Sequence, residues 1–305
     1  MRTRPMVDRP LGSPTVAPAA AVPPAEGLAR IRDLLARGGV AVLSGAGLST
    51  ESGIPDYRGA TGSLRRHTPM TYQEFVADET GRRRYWARSH VGWRTIARAQ
   101  PNSGHRAVQA LRASGRVGAV ITQNVDGLHH AAGTTDAVEL HGGLDRVICL
   151  DCGTLSPREE LDQRLHAANG RLEAAGAQVN PDGDMELAPE LVDAFQMVPC
   201  LACGGVLKPD VVFFGENVPR ARVDHCYDLV DTANALLVLG SSLTVMSGLR
   251  FVRRAAKAGL PVAIVNHGPT RGDEHAAVRV DLPLGEALTT LAQDLGPGPG
   301  PTLPD

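Results

Sequence analysis

Apolar side chains recur at helical spacing through GLARIRDLLARGG and stop at Gly38-Gly39, a pairing that ends helices. The following VAVLSGAG is apolar without alternation and breaks at glycine. A strand buried on both faces reads this way, and a glycine turn behind it suits a bound phosphate. The grammar repeats along the chain. GHRAVQALRASG has a helical period and VGAVITQN is an apolar strand. ALLVLGSS and LPVAIVNHG are strands ending in turns, LRFVRRAAKAG between them is helical, and GEALTTLAQDLG closes the pattern as a helix. This alternation predicts an α/β fold built on a doubly wound parallel sheet, whose ligands gather at the carboxyl ends of the strands.

Two stretches break the pattern. Residues 57–100 carry the arginine-rich helical segment TGRRRYWARSHVGW and few strand signals. Residues 147–207 contain the charged helical stretch PREELDQRLHAANGRLEAAG and the turn-rich NPDGDMELAPE, whose Pro-Asp-Gly-Asp reads as a tight loop. Both are read as insertions, which leaves residues 25–56, 101–146 and 208–295 to the sheet domain. Residues 1–24, rich in Pro and Ala, read as a disordered leader, and 296–305 as a disordered tail. Arg2, Arg4 and Arg9 faintly resemble a transit signal, but Asp8 and the prolines spoil the amphipathic helix it needs.

Composition narrows the classes. Of the 305 residues 43% are hydrophobic and 21% charged, ordinary for a globular chain. A formal charge of −2 gives no reason to expect a nucleic-acid partner. No apolar run approaches the roughly 20 residues of a membrane span, so no membrane association is expected. The reading is a cytoplasmic protein.

Four of the five cysteines form two Cys-x-x-Cys pairs, Cys149/Cys152 and Cys200/Cys203, each followed by glycine. That is the knuckle of a zinc ribbon, although about fifty residues between pairs exceeds the usual spacing. Free thiols or a redox pair are the alternative. Four thiolates close a tetrahedral zinc site to water and substrate, so the zinc would be structural and His141, eight residues before Cys149, is not needed as a ligand.

GAGLSTESGIPDYR begins after the first predicted strand. Gly45 and Gly47 suit a diphosphate, but Thr50 stands where the dehydrogenase fingerprint needs its third glycine, which disfavours hydride transfer. With ITQNVDGLHH, ELHG, the four cysteines, KPDVVFFGE, LGSSLTV and VNHGPTRGDEHA, this stretch occurs in the order found in sirtuins, NAD-dependent protein-lysine deacylases. The chain resembles that family from about Leu28 to Leu295. YWARSHVGW, NPDGD, FQMVP and NHGPTR resemble its class II branch.

The resemblance implies a Rossmann-type NAD domain, a small zinc domain, and an acyl-lysine peptide threaded between them. The acyl oxygen attacks C1′ of the nicotinamide ribose and nicotinamide leaves. A ribose hydroxyl, deprotonated by the histidine matching His141, then attacks the imidate to give lysine and O-acyl-ADP-ribose. A histidine suits that step because its ordinary pKa lies near neutrality.

Gln123, Asn124, Val125 and Asp126 would hold the ribose and nicotinamide amide, with Asn124 and Asp126 in catalytic roles. An Asx-turn at Asn124 and a helix cap at Asp126 are the structural alternatives. Ala46, Ser49, Asp56, Tyr57 and Arg58 would line the cofactor. Gly240, Ser241 and Ser242 would sit near phosphate and ribose, with Asn266, His267, Gly268 and Leu284 towards the adenosine. Val211, Phe213, Phe214, Gly215 and Glu216 match the segment that pairs with substrate backbone.

Tyr85 and Arg88, spaced as Tyr-x-x-Arg, resemble the pair that grips acidic acyl groups in the desuccinylase branch, where a guanidinium forks onto a carboxylate. A basic helix face is the alternative reading. At the level of function the rivals are protein ADP-ribosyl transfer at the same site and a non-enzymatic zinc-ribbon nucleic-acid-binding protein, which the net charge and the glycine-rich polar strand ends oppose.

Overall fold

In the computed structural model, which describes residues 22–58, 69–170, 172 and 180–296, six parallel strands form the main sheet. They are β1 (Val40–Ser44), β2 (Val117–Thr122), β3 (Val138–Glu139), β7 (Ala235–Leu239), β8 (Val262–Val265) and β9 (Val278–Val280), in the order β3-β2-β1-β7-β8-β9. Strand β1 is central, with Leu43 opposite Ile121 on one side and Val238 on the other. The chain winds outward from β1 through β2 and β3, then resumes on the other side at β7. That reversal opens a crevice at the carboxyl ends of β1 and β7.

Every residue of β1 and of β7 is buried, which is why both read as unbroken apolar runs. Alternate residues serve opposite faces. Val40, Val42 and Leu237 meet α1 (Pro24–Ala36), α4 (Ser103–Ala113) and α10 (Leu284–Leu295). Ala41, Leu43, Leu236 and Val238 meet α8 (Arg220–Asp231) and α9 (Met246–Lys257). Most of the expected leader and tail, 1–21 and 297–305, lies outside the described residues. The end of the leader joins the fold, however. The Val22 N–H donates to the Arg279 carbonyl at 3.1 Å, and Pro24 opens α1, where its fixed φ and missing N–H cost nothing.

A second sheet is antiparallel: β4 (Gly142–Cys149), β5 (Leu155–Pro157) and β6 (Leu207–Val211), in the order β5-β4-β6. It takes in residues 142–146 and 208–211, which the sequence reading left in the nucleotide domain. The two insertions expected as separate modules share one apolar core. From the first come α2 (Tyr72–Ala77) and α3 (Glu79–Arg98), and from the second α6 (Arg158–Asn169) and α7 (Pro189–Ala194). Helix α6 ends at Gly170, and most of the helical stretch expected beyond it lies outside the described residues.

The clamp between them is Arg158, 1% exposed, its guanidinium 5.4 Å from the Trp86 ring centroid and 4.8 Å from that of Trp93. Burial pushes this group down to about 10, so it stays charged at neutrality against two π faces and Asp162 at 3.8 Å. Trp86 also donates its indole N–H to the Leu207 carbonyl of β6 at 3.1 Å.

The two cysteine knuckles are built alike. Gly153 and Gly204 take φ of 72° and 75°, and their N–H groups bond back to Cys149 and Cys200. The four sulfurs lie within 4.8 Å of one another, with Cys149 to Cys203 at 3.5 Å and Cys152 to Cys200 at 3.9 Å. Sulfurs about 2.3 Å from a central ion stand about 3.8 Å apart at the corners of a tetrahedron, so the donor set fits zinc. Among the described residues no histidine or carboxylate joins the cluster. An ion held there stabilises the second sheet and leaves no position for substrate. Purified protein is expected to carry one zinc per chain by elemental analysis. Cys200→Ser should lose that zinc and lower Tm by at least about 5 °C.

Beneath β1, Ser44 Oγ meets His129 Nε2 at 2.9 Å, and the rings of His129 and His105 stack edge-on at 5.1 Å. Burial holds these imidazoles down to about 3 and about 4, so both are neutral in the folded chain. An unfolded histidine titrates near 6.5, so their contribution is complete above that pH and is lost as pH falls towards 4. Unfolding free energy from urea titrations should therefore drop by up to about 2.7 kcal/mol per pH unit between pH 6 and 4.5, and His129→Asn should roughly halve this slope.

Candidate active site

The turns after β1 and β7 lean on each other backbone to backbone. A Cβ on Gly45 would lie 2.8 Å from the Gly240 carbonyl, one on Gly47 2.9 Å from the Gly240 Cα, and one on Gly240 2.6 Å from the Leu48 nitrogen. Bonds from Gly47 N–H to the Gly240 carbonyl (2.9 Å) and from Gly45 N–H to the Leu239 carbonyl (2.9 Å) lock the crossing. The chain then makes two short 3-10 turns, Ala46–Leu48 and Thr50–Ser52, instead of the long helix of a dehydrogenase loop. A cleft of about 1080 Å3 opens above this crossing, between the parallel sheet and the second body. Every residue the sequence reading named for nucleotide or peptide lines that one cleft, Arg88 excepted.

At the end of β2 three side chains form a relay. Asn124 donates to Ser49 Oγ at 3.0 Å, and Ser49 donates to Asp126 Oδ2 at 2.6 Å. The other Asp126 oxygen accepts from the Leu128 N–H at 2.9 Å, an Asx-turn that leads into α5 (Leu128–Ala131); the cap position itself is Gly127, so Asp126 is not the helix cap that the sequence offered. Burial raises the Asp126 carboxyl above its ordinary range, and the bonds from Ser49 and Leu128 oppose that shift. The Gln123 side chain donates to Ser241 Oγ (2.8 Å) and to the Ser44 carbonyl (3.2 Å), which ties β2 to β1 and β7.

His141 stands where the chain leaves one sheet for the other, two residues past β3 and one before β4. The crossing explains the glycine that follows it. Gly142 has φ of 79°, and a Cβ there would sit 1.9 Å from the Asp210 carbonyl, which no side chain survives. The His141 Nδ1 is 2.9 Å from the Gln123 carbonyl and its Nε2 is 2.8 Å from Ser247 Oγ. A carbonyl only accepts, so Nδ1 carries the proton and Nε2 is the basic atom. Burial lowers the imidazole below its ordinary value and the charges of Arg222 and Arg250 add to this, while the Gln123 bond opposes it. The ring is neutral at physiological pH, as a general base must be.

The far wall is β6 and the residues after it. Among the described residues β6 is an edge strand, paired with β4 alone. Lys208, 3% exposed, reaches Glu216 at 3.0 Å and donates to the Val211 carbonyl at 2.6 Å, and Glu216 accepts from the Phe213 N–H at 2.9 Å. This pair, buried at the lysine and half-buried at the carboxylate, folds the segment into a bend along the cleft.

Past it, the closed end of the cleft is aromatic: Phe213 stacks on Tyr85 at 5.2 Å, and Tyr57 meets Phe214 at 6.0 Å. Burial, with Asp182 nearby, raises both phenols, so they remain protonated. The Pro-Asp-Gly-Asp loop reaches this end, where it contributes Pro181 and Asp182. It rests on α3 at Gly92, where a Cβ would lie 2.6 Å from the Gly183 carbonyl.

Arg88 corrects an expectation. Its Nε is 3.1 Å from Asp184 and its terminal nitrogen 2.5 Å from Glu186, and it does not line the cleft. Two of the chain's own carboxylates take the fork that the sequence offered to an acyl carboxylate. Residues that the sequence reading passed over include Asp182, Ser247 and Arg250, which come to the cleft only through packing between distant segments.

Residues 45–247 match the model of the Sir2 family. A Streptomyces coelicolor protein named NAD-dependent protein deacetylase 1 is 65% identical over 92% of this chain and 94% of its own length. A Mycobacterium avium protein of the same name is 51% identical, covering 85% and 93%. A solved Sir2 structure with a deacetylated p53 peptide and 3′-O-acetyl-ADP-ribose is 28% identical, with a TM-score of 0.71 over 88% of this chain and 98% of that one. Another, of Sir2 with a p53 peptide and NAD, is 27% identical, with a TM-score of 0.66 over 87% and 97%. A family match spanning residues 45–247, with a relative 65% identical along nearly all of the chain, settles the classification: the chain belongs to the Sir2 family.

Proposed function

We propose that this chain removes acyl groups from protein lysine side chains at the expense of NAD, releasing nicotinamide, O-acyl-ADP-ribose and free lysine. The observation that carries the reading is one cleft holding a glycine cradle, an edge strand and, between them, a histidine whose only basic atom is Nε2. The relatives' printed names and the peptide and acetyl-ADP-ribose in solved members support the same activity.

NAD bound in the cleft supplies an activated glycosidic carbon and a leaving nicotinamide. Gly45, Gly47 and Gly240 give the backbone the closeness a diphosphate needs, with Ser241 and Ser242 beside them. Gln123, Asn124 and Asp126 orient the ribose and the amide. The edge of β6 and residues 212–216 pair with the substrate backbone, which tolerates many sequences. His141 Nε2 takes the sugar proton. The aromatic end near Tyr85 receives the acyl group and excludes water. YWARSHVGW and NPDGD support the class II branch.

In organisation, we read residues 25–295 as the catalytic unit, with the zinc module widened by the β4 residues. We place it in the cytoplasm, a reducing compartment that keeps the four thiols available to zinc. Among the described residues no helix is long and apolar enough to cross a membrane.

With NAD and a panel of acyl-peptides, nicotinamide and free lysine should appear in equal amounts. His141→Ala should cut kcat by at least about 100-fold without changing the far-UV spectrum. Nicotinamide release without free lysine, or a fully active His141→Ala, would refute the reading. Because Arg88 is engaged by Asp184 and Glu186, Arg88→Met should leave the ratio of acetyl to glutaryl efficiency within about twofold while lowering stability by about 1–3 kcal/mol.

A further inference from the structure

The basic atom of the cleft is capped. With Nδ1 donating to the Gln123 carbonyl, Nε2 of His141 presents a lone pair, and the Ser247 hydroxyl 2.8 Å away must be its donor. Ser247 is the second residue of α9 and faces the cleft. The helix is capped at Val245 with no side-chain bond, so the serine is not spent on the helix end.

Its position is set tightly. A Cβ on the next residue, Gly248, would lie 2.4 Å from Gln123 Oε1. The start of α9 is therefore pressed against the residue whose carbonyl holds the other face of the imidazole. Gln123 is itself anchored to Ser44 and Ser241. The turn entering α9 holds Leu243 at φ of 54°, the one non-glycine among the described residues with positive φ.

We propose that Ser247 is a positioning residue of the acid–base unit: its hydroxyl donates to Nε2, holds His141 neutral with that atom turned to the cleft, and yields its place to the incoming sugar hydroxyl. This rests on the deacylation reading. In the step itself the sugar O–H proton passes to Nε2 and leaves an alkoxide, and the Ser247 O–H bond is not broken.

The charged groups facing the ring are Arg222 from α8 and Arg250 from α9, and both favour the neutral form. The carboxylates on the surrounding elements are turned elsewhere: Asp126 to Ser49 and Leu128, Glu139 to Arg146, and Glu216 to Lys208. A donor aimed at the neutral form's lone pair therefore acts in the same direction as the two arginines, and removing it should raise the proton affinity of the ring.

Ser247→Ala and Ser247→Thr are compared with the unaltered chain in two ways. The first is the pH dependence of kcat/KM. The second is NMR titration of the His141 ring in the substrate-free protein, with the resonance identified by its loss in His141→Ala. In Ser247→Ala both the ring titration and the acid limb should move up by about 0.5–1 pH unit. The rate should then fall about 3- to 10-fold well below neutrality and stay within about twofold at pH 8.5, with both KM values unchanged. Ser247→Thr should restore the original profile. An unshifted ring titration in Ser247→Ala overturns the proposal, whether its rate is normal or falls equally at every pH. Full activity in His141→Ala would instead overturn the deacylation reading on which it rests.

Discussion

Three glycines that pack without side chains, Gly45, Gly47 and Gly240, are the constraint on which the cleft depends. Their contact brings the turns after β1 and β7 within backbone hydrogen-bonding distance. A methyl group at any of the three would meet main-chain atoms at 2.9 Å or less, and backbone cannot move aside as a side-chain tip can. Because β1 and β7 flank the point where the winding of the sheet reverses, this is also where a doubly wound fold leaves room for a ligand. The order of strands and the closeness of the turns thus place a crevice floored by the backbone of the two turns.

The second constraint is rigidity between the two bodies that wall the cleft. His141 lies in the turn that passes from one to the other, and Gly142 makes the passage possible. The second body is itself bound together by Arg158 between two tryptophans and by the buried Lys208, which pairs with the half-buried Glu216. Buried charges of this kind are costly unless fully partnered, and each here meets π faces, carbonyls or a carboxylate. The result holds an imidazole whose one basic nitrogen, capped by Ser247, lies at the cleft between nucleotide cradle and edge strand. The sulfur cluster keeps its distance from this chemistry, since four thiolates satisfy an ion completely.

Much of this was legible along the chain because the information is local. Apolar runs broken by glycine, asparagine or serine marked β1, β2, β7 and β8, and Cys-x-x-Cys-Gly marked the knuckles, since a two-residue turn aims both sulfurs at one point. Strands β3 and β9, of two and three residues, carry no readable period, and Arg279 in β9 masks its burial by pairing with Asp273 and Asp281. Arg88 was misread for a related reason. Its residue type and spacing state what a guanidinium can hold, and only the docking of the 180–186 loop decided that Asp184 and Glu186 hold it.

The sequence by itself determined the fold class, the four-cysteine donor set and the glycine turns. Each rests on residue type, short-range spacing or covalent geometry. Tertiary structure alone decided which nitrogen of His141 is basic, that Ser247 and Asp182 enter the cleft, and that the two insertions share a core. Those facts depend on distances between segments up to a hundred residues apart, and such distances arise from packing and sheet order, which no local pattern encodes.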